Sequence, residues 1–395
     1  MPEVKPSLAN QHNQQLATVL PSPIRVIDAE FSEIAGLIKL TLGEPDFAVP
    51  EHIKQAAKRD IDNDDSHYAQ PAGHLELREA ISNYLVNRFQ APRYDPNNEI
   101  AVTVGASEAL FATMSGLFNP GEKIIIPTPS FPMYDAIAKI LGLEIVGLST
   151  APDYRLTPEK LAPVLEANPD AKGILINYPS NPTGVTYDEA EVSALAELLG
   201  QRDMVVISDE IYAELCFDGP HTTMSKLLPE QTILVSGLSK SHAMTGYRVG
   251  YVAGPQALMQ HVTKMHQFLV TTAPGPMMAA AAEALNNGLQ DAEEMRDAYQ
   301  ARRDIVQSGL EAAGFTVARP SGAFYIFAKI PEAIGMDDMA FVRDLAKEAL
   351  VGVAPGSIFG EGGEGNIRLS YAASTEDLEE SMRRIQTYMA KKLQA

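Results

Sequence analysis

A lysine in a loop of small hydroxylated residues is the chemically most unusual feature of the sequence. Lys240 stands between two serines in LVSGLSKSHAMTGYRVG (residues 234–250), and Arg248 follows in the same stretch. The loop separates two apolar runs of the kind that form buried strands. A lysine amine becomes a good nucleophile when desolvation or nearby positive charge lowers its pKa. We therefore expect Lys240 to be a covalent nucleophile rather than a surface lysine.

Two other apolar runs end in polar side chains that could bind a ligand. GILIN (173–177) leads to Asn181, and MVVIS (204–208) leads to Asp209 and Tyr212. Taken one at a time, turn formation around Asn-Pro and helix capping by a carboxylate explain these residues equally well or better. Ligands of a parallel α/β sheet bind at the carboxyl ends of its strands. The residues are therefore also candidates for one shared site.

Small residues follow a fourth run, IAVTV (100–104). Gly105, Ala106 and Ser107 open a helical pattern there. Backbone N–H groups at a helix N-terminus can approach and bind a phosphate, although a tight turn with a serine cap is the simpler explanation of this run alone. The run does not match G-x-G-x-x-G, so it does not indicate a dinucleotide.

Combined, the four strand ends supply a lysine near an arginine, a carboxylate, a neutral amide and a phosphate cradle. Pyridoxal phosphate (PLP) requires such a set: a lysine that forms a Schiff base, a partner for the pyridinium nitrogen, and anchors for the phosphate. Each signal is weak alone, and the combination is specific. The sequence therefore predicts a PLP enzyme, and we predict no metal site.

Alternating strands and helices must position these residues. Several of the apolar runs are apolar on both faces, which favours a largely parallel sheet covered by helices. Helical patterns that end at or near glycine lie between them. We predict an α/β fold with strands at 100–104, 123–127, 144–148, 173–177, 204–208, 232–236 and 248–254.

After residue 290 the pattern changes to that of a smaller α+β domain. A long charged helix precedes two strands, a helix, a further strand and a final helix. A helical segment near residues 22–36 is expected to pack on this domain, with LTLGEPDF (40–47) crossing between domains. The predicted divisions are a mobile arm at 1–14, a small domain at 15–48 and 290–395, and a large PLP-binding domain at 49–289.

Composition excludes several classes of function. The 395 residues are too many for one simple core and suggest two domains. Against 51 Asp and Glu there are only 31 Lys and Arg, and the formal charge of −20 disfavours binding to nucleic acid or anionic membranes. A single cysteine, Cys216, and the absence of a long apolar run predict a cytoplasmic protein that does not cross a membrane.

A set of short motifs extends over essentially the whole chain after the first dozen residues. They include LTLGEPDF, HYAQPAGHLELREAI, PTPSFPMYD, NYPSNPTGV, SDEIYAEL, SGLSKSHAMTGYRVGY, SGAFYIF, APGSIFG and NIRLSYA. In this order they resemble the PLP-dependent aminotransferases of fold type I, classes I and II. The residues of these motifs are similar to those of bacterial aromatic amino acid aminotransferases and nearly as similar to those of N-acetyl-diaminopimelate aminotransferases. The resemblance implies an aspartate aminotransferase-like fold and transaminase activity.

The resemblance assigns roles around the cofactor ring. Lys240 matches the lysine that holds PLP as a Schiff base, and Asp209 matches the carboxylate at the pyridinium nitrogen. Tyr212 and Asn181 match the hydrogen-bond partners of the ring 3-oxygen. Phe131 occupies the position of the aromatic residue that stacks on the ring, where many relatives carry Trp or Tyr.

The phosphate contacts match the family with one departure. The backbone of residues 106–107 matches the phosphate cradle, which is joined by Arg248. Many relatives place a phosphate-binding serine three residues before the lysine, where this chain has Gly237. Ser239 or Ser236 could supply the hydroxyl, but neither aligns with that position.

Substrate and subunit contacts also follow from the resemblance. Arg368 matches the arginine that binds the substrate α-carboxylate, assisted by the backbone of Gly43. Tyr68 matches a tyrosine that reaches the phosphate in the neighbouring subunit, which implies a homodimer. Ser107 stands where some aspartate-preferring relatives place a lysine, which favours aromatic or neutral substrates.

We therefore expect amino transfer from an L-amino acid, preferably an aromatic one, to a 2-oxo acid such as 2-oxoglutarate. Two alternatives remain within the fold, an N-acetyl-LL-diaminopimelate aminotransferase and a C–S β-lyase. An aminotransferase-like regulatory binding protein is the alternative from another class, and the occupied catalytic positions and the negative charge argue against it.

Overall fold

The computed structural model describes residues 1–64 and 66–394. Its strands, in chain order, are β1 (Ile38–Lys39), β2 (Ile100–Thr103), β3 (Lys123–Thr128), β4 (Glu144–Ser149), β5 (Gly173–Asn177), β6 (Val205–Asp209), β7 (Thr232–Gly237), β8 (Gly250–Ala253), β9 (Thr316–Ala318), β10 (Tyr325–Lys329), β11 (Val351–Gly352), β12 (Ala354–Pro355) and β13 (Asn366–Ser370). Its helices are α1 (Gln14–Ala17), α2 (Pro23–Ser32), α3 (Glu51–Asp62), α4 (Leu75–Phe89), α5 (Gly105–Leu117), α6 (Met133–Ile140), α7 (Pro158–Ala167), α8 (Glu189–Leu199), α9 (Met224–Leu227), α10 (Gln256–Val270), α11 (Gly275–Asn287), α12 (Leu289–Ala312), α13 (Asp338–Glu348) and α14 (Thr375–Leu393).

Strands β2 to β8 form one mixed sheet in the order β2-β8-β7-β6-β5-β3-β4. The five strands β3 to β7 are parallel, whereas β8 is antiparallel to both of its neighbours. The prediction of a mostly parallel sheet is confirmed. Because β5, β6 and β7 run the same way, their carboxyl ends share one edge, and Asn177 pairs in register with Asp209.

Helices cover both faces of this sheet, and the strand sequences explain why. Ile124 and Ile126 of β3 pack into a core with α5, α6 and α10, while Ile125 between them packs into a core with α7 and α8. Successive side chains of a strand point to opposite faces. A strand that is apolar at every position is therefore buried on both sides, and the predicted α/β class is confirmed.

The carboxyl-terminal part of the chain builds a smaller α+β unit. Strands β9, β10, β12 and β13 form an antiparallel sheet, and β1 pairs with β11. Ile27 and Phe31 of α2 are buried in the same core as residues of α12, α13 and α14, as expected for the segment near residues 22–36. The short helix α1 instead contacts α6, beside the large sheet. The division into domains at the stated boundaries stays a prediction.

The chain crosses between the two units at residues 40–47. The backbone N–H of Leu40 donates to the carbonyl oxygen of Gly352, and the carbonyl oxygen of Leu40 accepts from the N–H of Ser370, both in the smaller unit. A bidentate ion pair between Arg302 and Asp46, at 2.7 and 2.8 Å, fixes the other end of the segment to α12. None of the helices in the described ranges is both long enough and apolar enough to cross a membrane.

The predicted strand at 248–254 begins two residues later than expected. Arg248 has a left-handed backbone (φ 54°) and lies before β8, which starts at Gly250. A Cβ atom on Gly250 would lie 2.5 Å from the backbone nitrogen of Ala106. Strand β8 and the first turn of α5 can therefore approach this closely only with glycine at position 250.

Replacing Gly250 with alanine is expected to lower the free energy of unfolding by about 1–3 kcal/mol, because backbone atoms must move to relieve the collision. Urea unfolding of the PLP-free chain measures the change. Gly147→Ala in strand β4 is the matched control, since its Cβ would point into open space. Equal stability of the two variants would contradict the close approach.

Candidate active site

Lys240 lies in the loop after β7, at the edge of the large sheet. Its Nζ donates a hydrogen bond of 2.7 Å to the carbonyl oxygen of Gly43. The same atom lies 5.6 Å from the ring centre of Phe324 and 6.0 Å from that of Tyr212. Aromatic rings and the crossing segment thus surround the amine.

The surroundings of Lys240 favour its neutral form. Burial, together with the positive charges of Arg368 and Arg248, lowers the pKa of the amine to about 8, although the negative charges of Glu44 and Asp209 oppose the shift. An amine with this pKa is in part unprotonated near neutral pH, so it can act as a nucleophile or a base.

Asp209 ends strand β6 and is 4% exposed. Its Oδ2 accepts a hydrogen bond of 2.7 Å from the Tyr134 hydroxyl, and its Oδ1 accepts one of 3.2 Å from the backbone N–H of Ile211. Burial raises the pKa of the carboxyl to about 6, and the hydrogen bond from Tyr134 opposes that rise. The carboxylate retains capacity to accept a further donor.

Two asparagines connect the neighbouring strand ends. The Asn177 side chain donates to the carbonyl oxygen of Asp209 and accepts from the backbone N–H of Asn181, each at 2.9 Å. The Asn181 side chain in turn accepts a hydrogen bond of 2.9 Å from Nη1 of Arg368. The structure therefore brings Asn181, Asp209 and Arg368 into one network.

Arg368, on β13 of the smaller unit, is 1% exposed. Its Nη2 donates to the carbonyl oxygen of Thr41, and its guanidinium carbon lies 4.5 Å from the ring centre of Tyr325 and 4.8 Å from that of Phe359. Its Nε finds no hydrogen-bond partner in the described part of the chain. A buried donor without a partner costs free energy, and a substrate carboxylate would satisfy it.

Tyr212 also lies at this site, with a partner in the smaller unit. Its hydroxyl is 3.0 Å from that of Tyr325. Burial raises the pKa of both phenols, so both remain neutral hydrogen-bonding groups. The predicted contacts of Tyr212 and Asn181 with a ring oxygen remain predictions.

The predicted phosphate cradle is built by the start of α5 and by Arg248. The guanidinium of Arg248 donates a hydrogen bond of 3.0 Å to the carbonyl oxygen of Thr245 and one of 3.5 Å to the carbonyl oxygen of Val104. A Cβ atom on Gly105 would overlap this guanidinium. The first-turn N–H groups of α5, at Ala106 and Ser107, have no partner within the helix. This donor set fits the phosphate of PLP.

The structure explains the glycine that replaces the family's phosphate-binding serine. A Cβ atom on Gly237 would lie 2.8 Å from the Val249 carbonyl oxygen and 2.9 Å from Cα of Gly250, so no side chain fits there. The hydroxyl of Ser236 is already bonded to the Glu210 carbonyl oxygen at 3.2 Å. Ser239 is buried next to Lys240, and its contact with phosphate stays a prediction.

Two predicted cofactor contacts lie at the margins of this group. Phe131 is partly buried and packs edge-to-face on Tyr134, with ring centres 5.7 Å apart. Tyr68 lies on the surface of the single chain with 86% of it exposed. Its proposed contact with a neighbouring subunit remains a prediction.

Sequence reasoning missed two tyrosines of the site. Tyr134 contacts Asp209, and Tyr325 contacts both Tyr212 and Arg368. For Tyr134 a signal existed, because PTPSFPMYD places it three residues after Phe131, one helical turn away. For Tyr325, a position inside an apolar strand gave no such indication.

Comparisons with known proteins identify the family of the chain. The profile of the family "Aminotransferase class I and II" matches residues 35–385. The probable N-acetyl-LL-diaminopimelate aminotransferase of Bacillus subtilis is 40% identical over 95% of this chain and 94% of its own length. The aspartate aminotransferase of Pyrococcus abyssi is 36% identical over 96% and 98%. The crystal structure of an aromatic aminotransferase from Pyrococcus horikoshii superposes with a TM-score of 0.87 at 35% identity, covering 92% of this chain and 99% of that one. The chain therefore belongs to the class I and II aminotransferases and is a PLP-dependent transaminase with the aspartate aminotransferase-like fold.

Proposed function

We propose that the chain transfers the amino group of an aromatic L-amino acid to a 2-oxo acid such as 2-oxoglutarate. The observation that supports an aromatic donor is an apolar cluster that spans both units beside Arg368. We define this apolar cluster as Ile24, Leu42, Phe131, Tyr154, Phe327, Ala354, Ile358 and Phe359.

In this proposal, the side chain of the bound amino acid projects toward the apolar cluster. Phe359 contacts the guanidinium of Arg368, and Phe131 packs on the tyrosine that contacts Asp209. An aromatic side chain buries a large apolar area and prefers such walls. No member of the cluster carries a charge that would pair with the distal carboxylate of aspartate.

Arg368 positions the substrate in this proposal. Its buried guanidinium binds the α-carboxylate, and the unpartnered Nε supplies a donor for one carboxylate oxygen. The cation–carboxylate pair fixes the orientation of Cα relative to Lys240. Binding would therefore satisfy a donor that residues 1–64 and 66–394 leave without a partner.

Lys240 moves the proton. Bound PLP supplies an aldehyde carbon that joins covalently to an amine and a ring that accepts electrons. The Nζ of Lys240, with its pKa of about 8, first provides the amine that holds the cofactor. When it is free, the same Nζ would act as the base that takes up the Cα proton of the substrate and as the acid that gives it back. Asp209 would accept a hydrogen bond from the ring N–H and favour the protonated form of that nitrogen.

A second candidate donor is N-acetyl-LL-diaminopimelate. It is favoured by the name of the Bacillus subtilis relative at 40% identity. Its acetylated end has lost the ammonium charge but keeps a carboxylate, which, like the distal carboxylate of aspartate, would need a cation from outside the apolar cluster. Aspartate, the substrate named for the Pyrococcus abyssi relative, would need a cation that the apolar cluster lacks.

We also propose that the active unit is a homodimer in which Tyr68 completes the neighbouring site. Tyr68 and Phe268, the latter with 82% of it exposed, are large aromatic side chains that lie on the surface of the single chain. Large exposed aromatic side chains of this kind commonly lie at protein interfaces.

Lys240→Ala is expected to lower turnover by about 10³-fold or more, because it removes the base that moves the Cα proton. Steady-state amino transfer measures the loss, and equilibrium dialysis checks that PLP still binds without the covalent link. Lys226→Ala is the matched control, since Lys226 forms a surface ion pair with Glu189. Undiminished activity of Lys240→Ala would exclude the proposed base.

Leu42→Ala is expected to lower kcat/KM for phenylalanine by about 5–50-fold, the cost of lost apolar contact, and to change the value for aspartate much less. Single-turnover absorbance changes with phenylalanine, tyrosine, aspartate and N-acetyl-LL-diaminopimelate provide the measurement. The exposed Leu393 supplies the control variant Leu393→Ala.

Two results of this comparison would contradict the proposal. The first is a wild-type preference for aspartate or N-acetyl-LL-diaminopimelate over both aromatic amino acids. The second is release of pyruvate and ammonia from a sulfur amino acid in place of a new amino acid, which would indicate a β-lyase.

Mixing inactive Lys240→Ala and Tyr68→Ala chains is expected to restore about one quarter of wild-type activity. Half of the dimers would be hybrids, and each hybrid would hold one site with both Lys240 and the partner's Tyr68 intact. Activity after subunit exchange is the measurement, and each variant alone is the control. If Tyr68 serves its own chain, the mixture stays inactive.

A further inference from the structure

We propose that Tyr134 is a positioning residue that holds the Asp209 carboxylate in place and in its ionised form for the nitrogen of the cofactor ring. This inference rests on the role proposed above for Asp209. Tyr134 lies in the motif PTPSFPMYD and in a predicted helix, but the family resemblance assigned it no role.

The geometry leaves Asp209 with one donor on each oxygen and room for one more ligand. The Tyr134 hydroxyl binds Oδ2 at 2.7 Å, and the Ile211 N–H binds Oδ1 at 3.2 Å. Tyr134 is 1% exposed, so water does not compete freely for this contact. A carboxylate has about four acceptor positions. A pyridinium N–H can therefore bind without displacing Tyr134.

The hydrogen bond from Tyr134 affects how much of Asp209 is ionised near neutral pH. Burial, with a smaller contribution from Glu210, raises the pKa of Asp209 to about 6 even though Tyr134, Ile211 and Lys240 oppose the rise. Removing the Tyr134 hydroxyl would raise this pKa further. Asp209 would then stay protonated to higher pH, and a protonated carboxyl group cannot pair with a pyridinium.

The other groups facing Asp209 cannot replace this donor. Glu210 forms an ion pair with His221 at 2.8 Å, and its carboxylate accepts hydrogen bonds but cannot donate one. The hydroxyl of Tyr212 is bonded to Tyr325, and Lys240 is needed for the covalent link to the cofactor.

Tyr134 also connects two contacts of the cofactor ring. Tyr134 lies on α6, three residues after Phe131, which precedes the helix, and it packs edge-to-face against that ring at an angle of 85°. Burial raises the pKa of its phenol well above 10, so it remains a neutral donor. One side chain thus supports the stacking residue with its ring and the ring-nitrogen partner with its hydroxyl. Phenylalanine would keep the first contact and lose the second.

The test is the dissociation constant of PLP for Tyr134→Phe and for the wild type between pH 6 and pH 9. We expect the ratio of variant to wild type to be about fivefold at pH 6 and below twofold at pH 9, since one hydrogen bond to a buried charge shifts its titration by about one pH unit. Effects of pH on Lys240 are common to both proteins and cancel in the ratio.

Tyr84→Phe is the matched control. Tyr84 donates a 2.6 Å hydrogen bond to buried Glu214, the same chemistry in another part of the core. This variant is expected to lose stability while its PLP affinity follows the wild type at every pH. If Tyr134 were only a buried tyrosine in need of an acceptor, the two variants would behave alike.

Asp209→Asn separates this inference from the role on which it rests. We expect Asp209→Asn to weaken PLP binding, and we expect Tyr134→Phe to add no pH-dependent effect in that background. Unchanged PLP binding in Asp209→Asn would refute the role of Asp209 itself. A normal effect of Asp209→Asn with a pH-independent ratio for Tyr134→Phe, including uniform loss through unfolding, would refute only the role of Tyr134.

Discussion

Burial of the Arg368 guanidinium is the interaction on which the arrangement of the site depends. A buried charge costs several kcal/mol unless hydrogen bonds compensate it. The partners of Arg368 come from different parts of the chain: Asn181 from the loop after β5 of the large sheet, and Thr41 from the crossing segment. Arg368 itself belongs to the smaller sheet. Satisfying one cation therefore aligns both units and the segment between them, and Gly43, two residues from Thr41, comes within reach of Lys240.

The same burial shifts the pKa values of both Lys240 and Asp209 toward neutrality. Removing Lys240 from water disfavours its ammonium form and lowers its pKa from 10.5 to about 8, while removing Asp209 from water disfavours its carboxylate and raises its pKa from 3.8 to about 6. One physical cause thus moves the two pKa values toward each other. The protein then adjusts each value locally, with Arg368 acting on the lysine and Tyr134 acting on the aspartate.

The sequence predicts the features that depend on the order and apolar pattern of the strands. It does not predict the features that depend on how closely two backbones approach each other. The positions of Lys240 and Asp209 follow from apolar strands that end at one edge, and the fold class follows from strands apolar on both faces. The absence of a serine at Gly237 could not be explained from sequence, because the cause is the distance between the backbones of β7 and β8. The predicted strand at 248–254 wrongly includes Arg248. Its left-handed backbone could not be predicted, because a non-glycine residue rarely adopts that conformation.

Asp209 and Glu210 are adjacent acids at the end of β6, and the number of donors around each decides its role. Glu210 accepts hydrogen bonds from Ser208, Thr223 and the backbone of Met224 on one oxygen, and His221 lies 2.8 Å from the other. Burial alone would lower the pKa of His221, but the charge of Glu210 raises it to about 10. The imidazolium thus offsets the negative charge of Glu210 beside Asp209. With its acceptor positions filled, Glu210 fixes the strand end, whereas Asp209, which has two donors in the described part of the chain, keeps an acceptor position for a ligand.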